Sequence, residues 1–193
     1  MALAHTILAL LAKHPGSGYD ISKHFDEGLS CYWKATQQQV YRELSKLTKA
    51  GRVSFETVPQ AGKPDKKLYQ ITESGWQELT RWYAEPTEPT PIREDLLVKV
   101  LIGYKMPRQM LYKELHHRKK LHGDQLAFYR EKEAAHLAMK ADDAMKADDM
   151  EMQFMYLTLK RGIAYETSWL TWCDEVLEML ANCERDLPQD ELA

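Results

Sequence analysis

The chain has 193 residues, 26 Lys and Arg against 29 Asp and Glu, and a formal net charge of −3. That length allows one or two domains with a real core, and no run approaches the ~20 apolar residues of a membrane span. The three cysteines, Cys31, Cys173 and Cys183, form no CxxC, which argues against a disulfide framework and for a reducing, cytoplasmic setting.

Leu3, Ile7, Leu8, Leu10 and Leu11 give a broad apolar helical face near the N-terminus. No basic n-region precedes it, so Leu3–Ala12 reads as a folded helix rather than a signal peptide. His14–Pro15–Gly16–Ser17–Gly18 stops that helix, and residues 19–25 give a second short one, ended near Gly28. The third helix, 36–49, carries an apolar spine at Val40, Leu44 and Leu47 and a polar face at Gln38, Arg42, Ser45, Lys46 and Lys49. Thr36 and Gln39 fit a capping box, and Gly51 fits a glycine C-cap. Gln pairs with adenine and Arg with guanine through paired hydrogen bonds, and the first turn of such a helix is what a helix-turn-helix inserts into the major groove.

Beyond Gly51 the apolar period changes to two. Val53, Phe55 and Thr57 alternate, as do residues 68–71, with a polar, basic tip at 60–67 between them. Three helices followed by a basic hairpin make a winged helix-turn-helix. Gln37, Gln38 and Arg42 are the candidates for base readout, and Gln39 is divided between capping and DNA. Lys34, Thr36, Tyr41, Lys46, Lys63, Lys66 and Lys67 are the candidates for phosphate contacts; Tyr41 fits core packing equally well.

Thr72–Glu73–Ser74–Gly75 opens a fourth helix with Trp76, Leu79, Trp82 and Tyr83. Pro86, Pro89 and Pro91 then mark a semi-rigid linker. The expected division is a winged helix-turn-helix domain at 1–84, a linker at 85–92 and a helical domain at 93–193. Residues 1–84 carry 11 Lys and Arg against 8 Asp and Glu, and residues 85–193 carry 15 against 21. A mildly basic front and an acidic rear suit a DNA-reading domain joined to an oligomerising or sensing one.

The rear reads as a short helix through Leu96–Leu101 followed by two long ones. The first carries Leu111, Leu115, His122, Leu126 and Tyr129. The second runs from about Met150 to Leu180 with Phe154, Leu157, Trp169, Trp172, Val176 and Leu180. They predict an antiparallel, coiled-coil-like hairpin whose leftover apolar surface a second copy would cover, giving a homodimer. Between them Ala-Met-Lys-Ala-Asp-Asp occurs twice in succession, over 138–149. A six-residue period does not extend a heptad seam, so the repeat is expected to form the connection at the hairpin tip.

Trp76, Trp82, Tyr165, Trp169 and Trp172 could frame a pocket for an aromatic effector where the domains meet, with Arg93 holding its carboxylate; the competing reading makes the tryptophans dimer core. Neither Asp142, Asp143, Asp148 and Asp149 nor His116, His117 and His122 have the completeness or spacing of a metal site, and no cofactor, phosphate loop or catalytic constellation is evident, so no enzymatic activity is expected.

Together, Gly18-Tyr19-Asp20-Ile21, Gln39-Val40-Tyr41-Arg42-Glu43-Leu44, Tyr69-Gln70-Ile71-Thr72-Glu73-Ser74-Gly75, Leu157-Thr158-Leu159-Lys160-Arg161 and Trp172-Cys173-Asp174-Glu175-Val176-Leu177 resemble the PadR family of bacterial transcriptional regulators. Residues 32–44 and 62–67 resemble its AphA-like branch. The resemblance implies a dimeric winged-helix reader of double-stranded operator DNA, joined through C-terminal helices, with aromatic effectors in some members. Where the family commonly has Gly just before the third-helix motif, this chain has Gln38. A helical module that uses its winged helix to bind protein is the alternative; the basic wing and the Gln- and Arg-rich third helix count against it.

Overall fold

The computed structural model describes residues 2–27, 34–60, 62, 65–141 and 150–185. The chain divides into two compact units, 1–90 and 91–193. The first contains α1 (Ala2–Lys13), β1 (Gly16–Ser17), α2 (Gly18–Glu27), α3 (Gln37–Lys49), β2 (Val53–Val58), β3 (Lys66–Ile71) and α4 (Glu73–Tyr83).

The order of helices and hairpin agrees with the sequence expectation, with one addition. Gly16 and Ser17, expected only to stop the first helix, pair antiparallel with Tyr69 and Leu68 and complete a sheet of order β1-β3-β2. A Gly-Ser dipeptide has no strand propensity of its own; its pairing is imposed by β3. β2 and β3 pair in register from Val53 opposite Ile71 to Val58 opposite Lys66.

One core holds this unit together. Ile7, Leu8 and Leu11 of α1, Ile21 and Phe25 of α2, and Val40, Leu44 and Leu47 of α3 meet Val53 and Tyr69 of the sheet. Burying α3 through a spine spaced four and three leaves its opposite face to solvent, which is what makes that helix available to a partner. α4 is fixed by a cap as well as by packing. Thr72 Oγ1 accepts from Gly75 N (3.1 Å) and donates to Gly51 O (2.7 Å), and Thr72 N donates to Arg52 O (3.1 Å).

A largely buried polar cluster locks α1 to α4. His5 Nε2 lies 3.0 Å from Glu78 Oε1, and the His5 ring stacks on Trp82 with centroids 4.7 Å apart. Glu78 also meets Arg81 (2.9 Å) and Arg52 (3.1 Å). Hydrogen bonds from Arg81 and His5 outweigh burial and hold the Glu78 carboxyl at about 2, below its ordinary 4.5. A carboxyl lowered on folding stabilises the fold above its unfolded value, and that stability is lost as pH falls through the folded one. The unit is therefore expected to lose stability between about pH 4.5 and 2. Glu78→Gln should cost ~1–2 kcal/mol at neutral pH and flatten that acid limb in urea titrations. An unchanged acid limb in the variant would refute the assignment.

The second unit contains α5 (Asp95–Ile102), a 3-10 turn (Gly103–Lys105), α6 (Arg108–Ala141) and α7 (Met150–Arg185). Lys119 pairs with Asp174, His122 with Glu166 and Tyr156 with Glu133, so the two long helices run antiparallel. Their root is closed by Leu96, Leu111, Leu115, Cys173, Val176, Leu177 and Leu180. Glu94, the N-cap of α5, receives both Nη atoms of Arg118, at 3.1 and 2.7 Å, and so ties α5 to α6. Burial and the nearby Asp174 raise the Cys173 thiol above its ordinary value, so it behaves as a core group.

Away from the root the hairpin is less well covered. Phe154 and Leu157, expected on the apolar spine of the last helix, are 60% and 58% exposed. The hexapeptide repeat was expected to lie wholly in the connection, but its first four residues, Ala138–Ala141, continue α6. These residues have good helix propensity, and nothing in them stops the preceding turns. Residues 142–149, including the four aspartates weighed as metal ligands, lie outside the described residues. No helix among the described residues is long and apolar enough to cross a membrane, and no group of three or more His, Cys, Asp or Glu there could hold a metal ion.

Candidate nucleic-acid interface

α3 starts where the sequence places it. Gln39 N donates to Thr36 Oγ1 (3.3 Å) and Thr36 N donates to Gln39 Oε1 (2.8 Å), which closes the capping box. The Gln39 carbonyl oxygen is thus engaged in the cap. The helix ends through Ala50, and Gly51 follows at φ +69°, a left-handed conformation that side-chain-bearing residues rarely adopt. Thr36, Gln37, Gln38, Gln39, Tyr41, Arg42 and Lys46 are all exposed, while Val40, Leu44 and Leu47 are buried. Lys46 Nζ reaches Glu43 at 3.0 Å, and Lys34, just ahead of the cap, is exposed.

Tyr41 does not join the core. It is 44% exposed, and its ring lies over Gly18, where an added Cβ would come within 2.5 Å of Tyr41 Cε1. Glycine at the first position of α2 is what allows this ring to approach the α2 backbone so closely. Tyr41 and Gly18 form one side of an open cleft of about 570 Å³ whose other walls are Ser17, Tyr19, Gln60, Asp65, Lys66, Lys67 and Tyr69. Burial, then the neighbouring Tyr41, raises the Tyr69 hydroxyl above its ordinary value, so it remains a neutral donor.

Lys66 and Lys67 each have a defined partner. Lys67 Nζ sits 4.3 Å from the Phe55 ring centroid, and Phe55 in turn packs on Tyr69. Lys66 Nζ pairs with Asp20 Oδ2 at 3.1 Å. Asp20 belongs to a second capping box. It accepts from Ser17 N (3.0 Å) and Ser17 Oγ (2.8 Å), and Asp20 N donates to Ser17 Oγ (3.2 Å). Those bonds, the backbone one first, hold its carboxyl below the ordinary range. The S-x-x-D spacing that signals this box is present in the sequence, but the Pro15-Gly16 punctuation before it reads first as a helix stop. Lys63 lies outside the described residues.

The residues expected to frame an effector pocket are divided between the two units along the chain. In the first unit Trp82 stacks on His5 and Trp76 is 45% exposed. In the second, Trp169 stacks on His122 (centroids 5.0 Å, planes 4° apart), with Tyr165 and Trp172 set edge-on at 6.5 and 5.3 Å. Arg93 is exposed. The sequence reading missed Arg118, 5.6 Å from the Trp169 ring, and Glu166, buried against His122; neither has a local signal, since each partner comes from a different helix.

Residues 7–81 match the family model of PadR-like transcriptional regulators, and residues 92–181 match the model of the C-terminal region of the virulence activator alpha. A probable transcriptional regulator of Mycobacterium tuberculosis is 36% identical over 190 residues, covering 93% of this chain and 98% of the relative. The chain belongs to the PadR family of transcriptional regulators. Bacillus subtilis PadR in complex with operator DNA superposes with a TM-score of 0.76 at 30% identity, covering 93% of this chain and 99% of PadR. The Vibrio cholerae virulence activator AphA gives the same TM-score and identity, covering 94% and 99%. Bacillus subtilis PadR has also been crystallised with p-coumaric acid, and that form matches this chain with a TM-score of 0.61 at 29% identity. The expected PadR-type winged helix and long C-terminal helices are both present, and the relatives are regulators rather than enzymes.

Proposed function

We propose that this PadR-type regulator acts in the cytoplasm as a homodimer on double-stranded operator DNA. Residues 1–84 read the duplex, residues 85–92 link, and residues 93–193 join the two copies. The observation that carries this reading is the division of α3. Its apolar spine is buried and its cap is closed by Thr36 and Gln39, while Gln37, Gln38 and Arg42 face solvent from the first turns. These are the side chains that discriminate base edges, and this is the end of the helix that enters a major groove. Lys34, Thr36, Tyr41, Lys46, Lys63, Lys66 and Lys67 then serve phosphates. The exposed Phe154 and Leu157 supply apolar surface for the second copy. Footprinting on the DNA upstream of the chain's own gene tests the reading. Two protected half-sites about 34–36 Å apart, or a multiple of that spacing, are expected of a symmetric dimer. Protection of a single short site, together with a monomeric mass in solution, would contradict it.

An aromatic acid is the proposed effector. The crystallised complex of the Bacillus subtilis relative with p-coumaric acid favours this class, and Tyr165, Trp169, Trp172 and Arg93 are the residues assigned to it. A phenolic acid should quench tryptophan fluorescence saturably and weaken operator binding. A panel of such acids that leaves both signals unchanged would remove the effector from the proposal.

A further inference from the structure

We propose that Asp20 is an electrostatic gate on the wing, neutralising Lys66 in the free protein so that a phosphate must compete for the ammonium before the wing can seat. The inference rests on the DNA-binding reading above and adds to it a residue whose charge opposes binding.

Asp20 stands at the third position of α2, and Lys66 is the first residue of β3, directly after the wing tip. Their 3.1 Å ion pair lies at the cleft lined by Tyr19, Gln60, Lys67, Tyr69 and the exposed Tyr41 of α3. Both bonds from Ser17 fix the carboxylate where Lys66 can reach it, and they favour its charged form. The two side chains are 44% and 38% exposed, so the pair is weak enough for a phosphate to displace. Lys66 keeps its remaining N–H donors for that phosphate, because an ammonium has three. The strand pairing of Ser17 with Leu68 already joins β1 to β3, so the wing does not need the ion pair to stay attached. A carboxylate placed beside a phosphate-binding lysine, in a fold that does not require the pair, lowers sequence-independent affinity and leaves more of the binding to the base contacts of α3.

Asp20→Asn separates the two roles of this residue, since the amide oxygen can still accept from Ser17 while the charge is gone. The test is fluorescence anisotropy of the full chain on its upstream duplex and on unrelated duplex over a salt series, for wild type, Asp20→Asn, Lys66→Ala and the double variant. Asp20→Asn should bind both duplexes ~2- to 5-fold more tightly at low salt, with a salt slope steeper by up to about one unit. In the Lys66→Ala background the same change should give almost no gain. Ser17→Ala, which removes one of the two bonds that position the carboxylate but leaves its charge and the Ser17 N–H donor, should give a smaller gain than Asp20→Asn. An Asp20→Asn protein that binds no more tightly than wild type, or that gains equally without Lys66, overturns the gate while the DNA-binding reading stands. A wild type that holds neither duplex overturns both.

Discussion

Gly75→Ala will destabilise the N-terminal unit by about 3 kcal/mol or more, at the upper end of what overpacking costs. A Cβ on Gly75 would lie 2.2 Å from Arg52 O and 2.7 Å from Ile71 Cγ1. The first of these is a backbone atom and cannot rotate away. Arg52 O also accepts from Thr72 N, and Thr72 caps α4 through Gly75 N, so displacing the helix opens the cap and the link to Gly51 together. A loss of that size should lower the melting temperature of the unit by ~10–20 °C in circular dichroism. Ser74→Ala, at the exposed neighbouring position, is the control and should shift it by a few degrees at most. A Gly75→Ala protein that melts with the wild type would show that α4 does not sit this close to Arg52.

Arg42→Ala will weaken binding to the cognate site by ~1–3 kcal/mol, a loss of roughly 5- to 150-fold, and change affinity for unrelated DNA far less. The difference arises because Arg42 stands on the exposed face of α3 nearly two turns beyond the cap, where a guanidinium can fork onto a base edge. Lys66→Ala should instead weaken every duplex similarly and flatten the salt slope by about one unit. Equal losses for both variants on random duplex would refute this division between reading and holding.

The expected order of elements held wherever local chemistry decides the outcome. The spine at Val40, Leu44 and Leu47, the Thr36–Gln39 box and the left-handed Gly51 are all written within a few residues of one another, and each appears as the spacing predicts. The hairpin over 53–71 was legible for the same reason, because the change of period from helix to strand is a local signal. What the sequence hid was made by distant partners. β1 exists because β3 offers Gly16 and Ser17 a place to pair. The tethering of Lys66 by Asp20, the seat of Tyr41 on Gly18 and the hold of Glu78 on His5 join residues 23 to 73 positions apart, and no periodicity encodes such pairs. The rear helices show the same limit from the other side. Their length and root were readable, but Phe154 and Leu157 carry a core-like pattern and are exposed in the single chain, so pattern alone does not separate a core face from an open one.

The central claim is that the polar face of α3 reads DNA sequence, and equilibrium binding tests it most directly. Purified protein would be titrated with its own upstream DNA and with unrelated duplex, both across a salt series. The account predicts a site bound at least ~10³-fold more tightly than random DNA near physiological salt, with that preference persisting as salt rises while the non-specific component falls away. Equal affinity for the two duplexes at every salt concentration, decaying together, would contradict it.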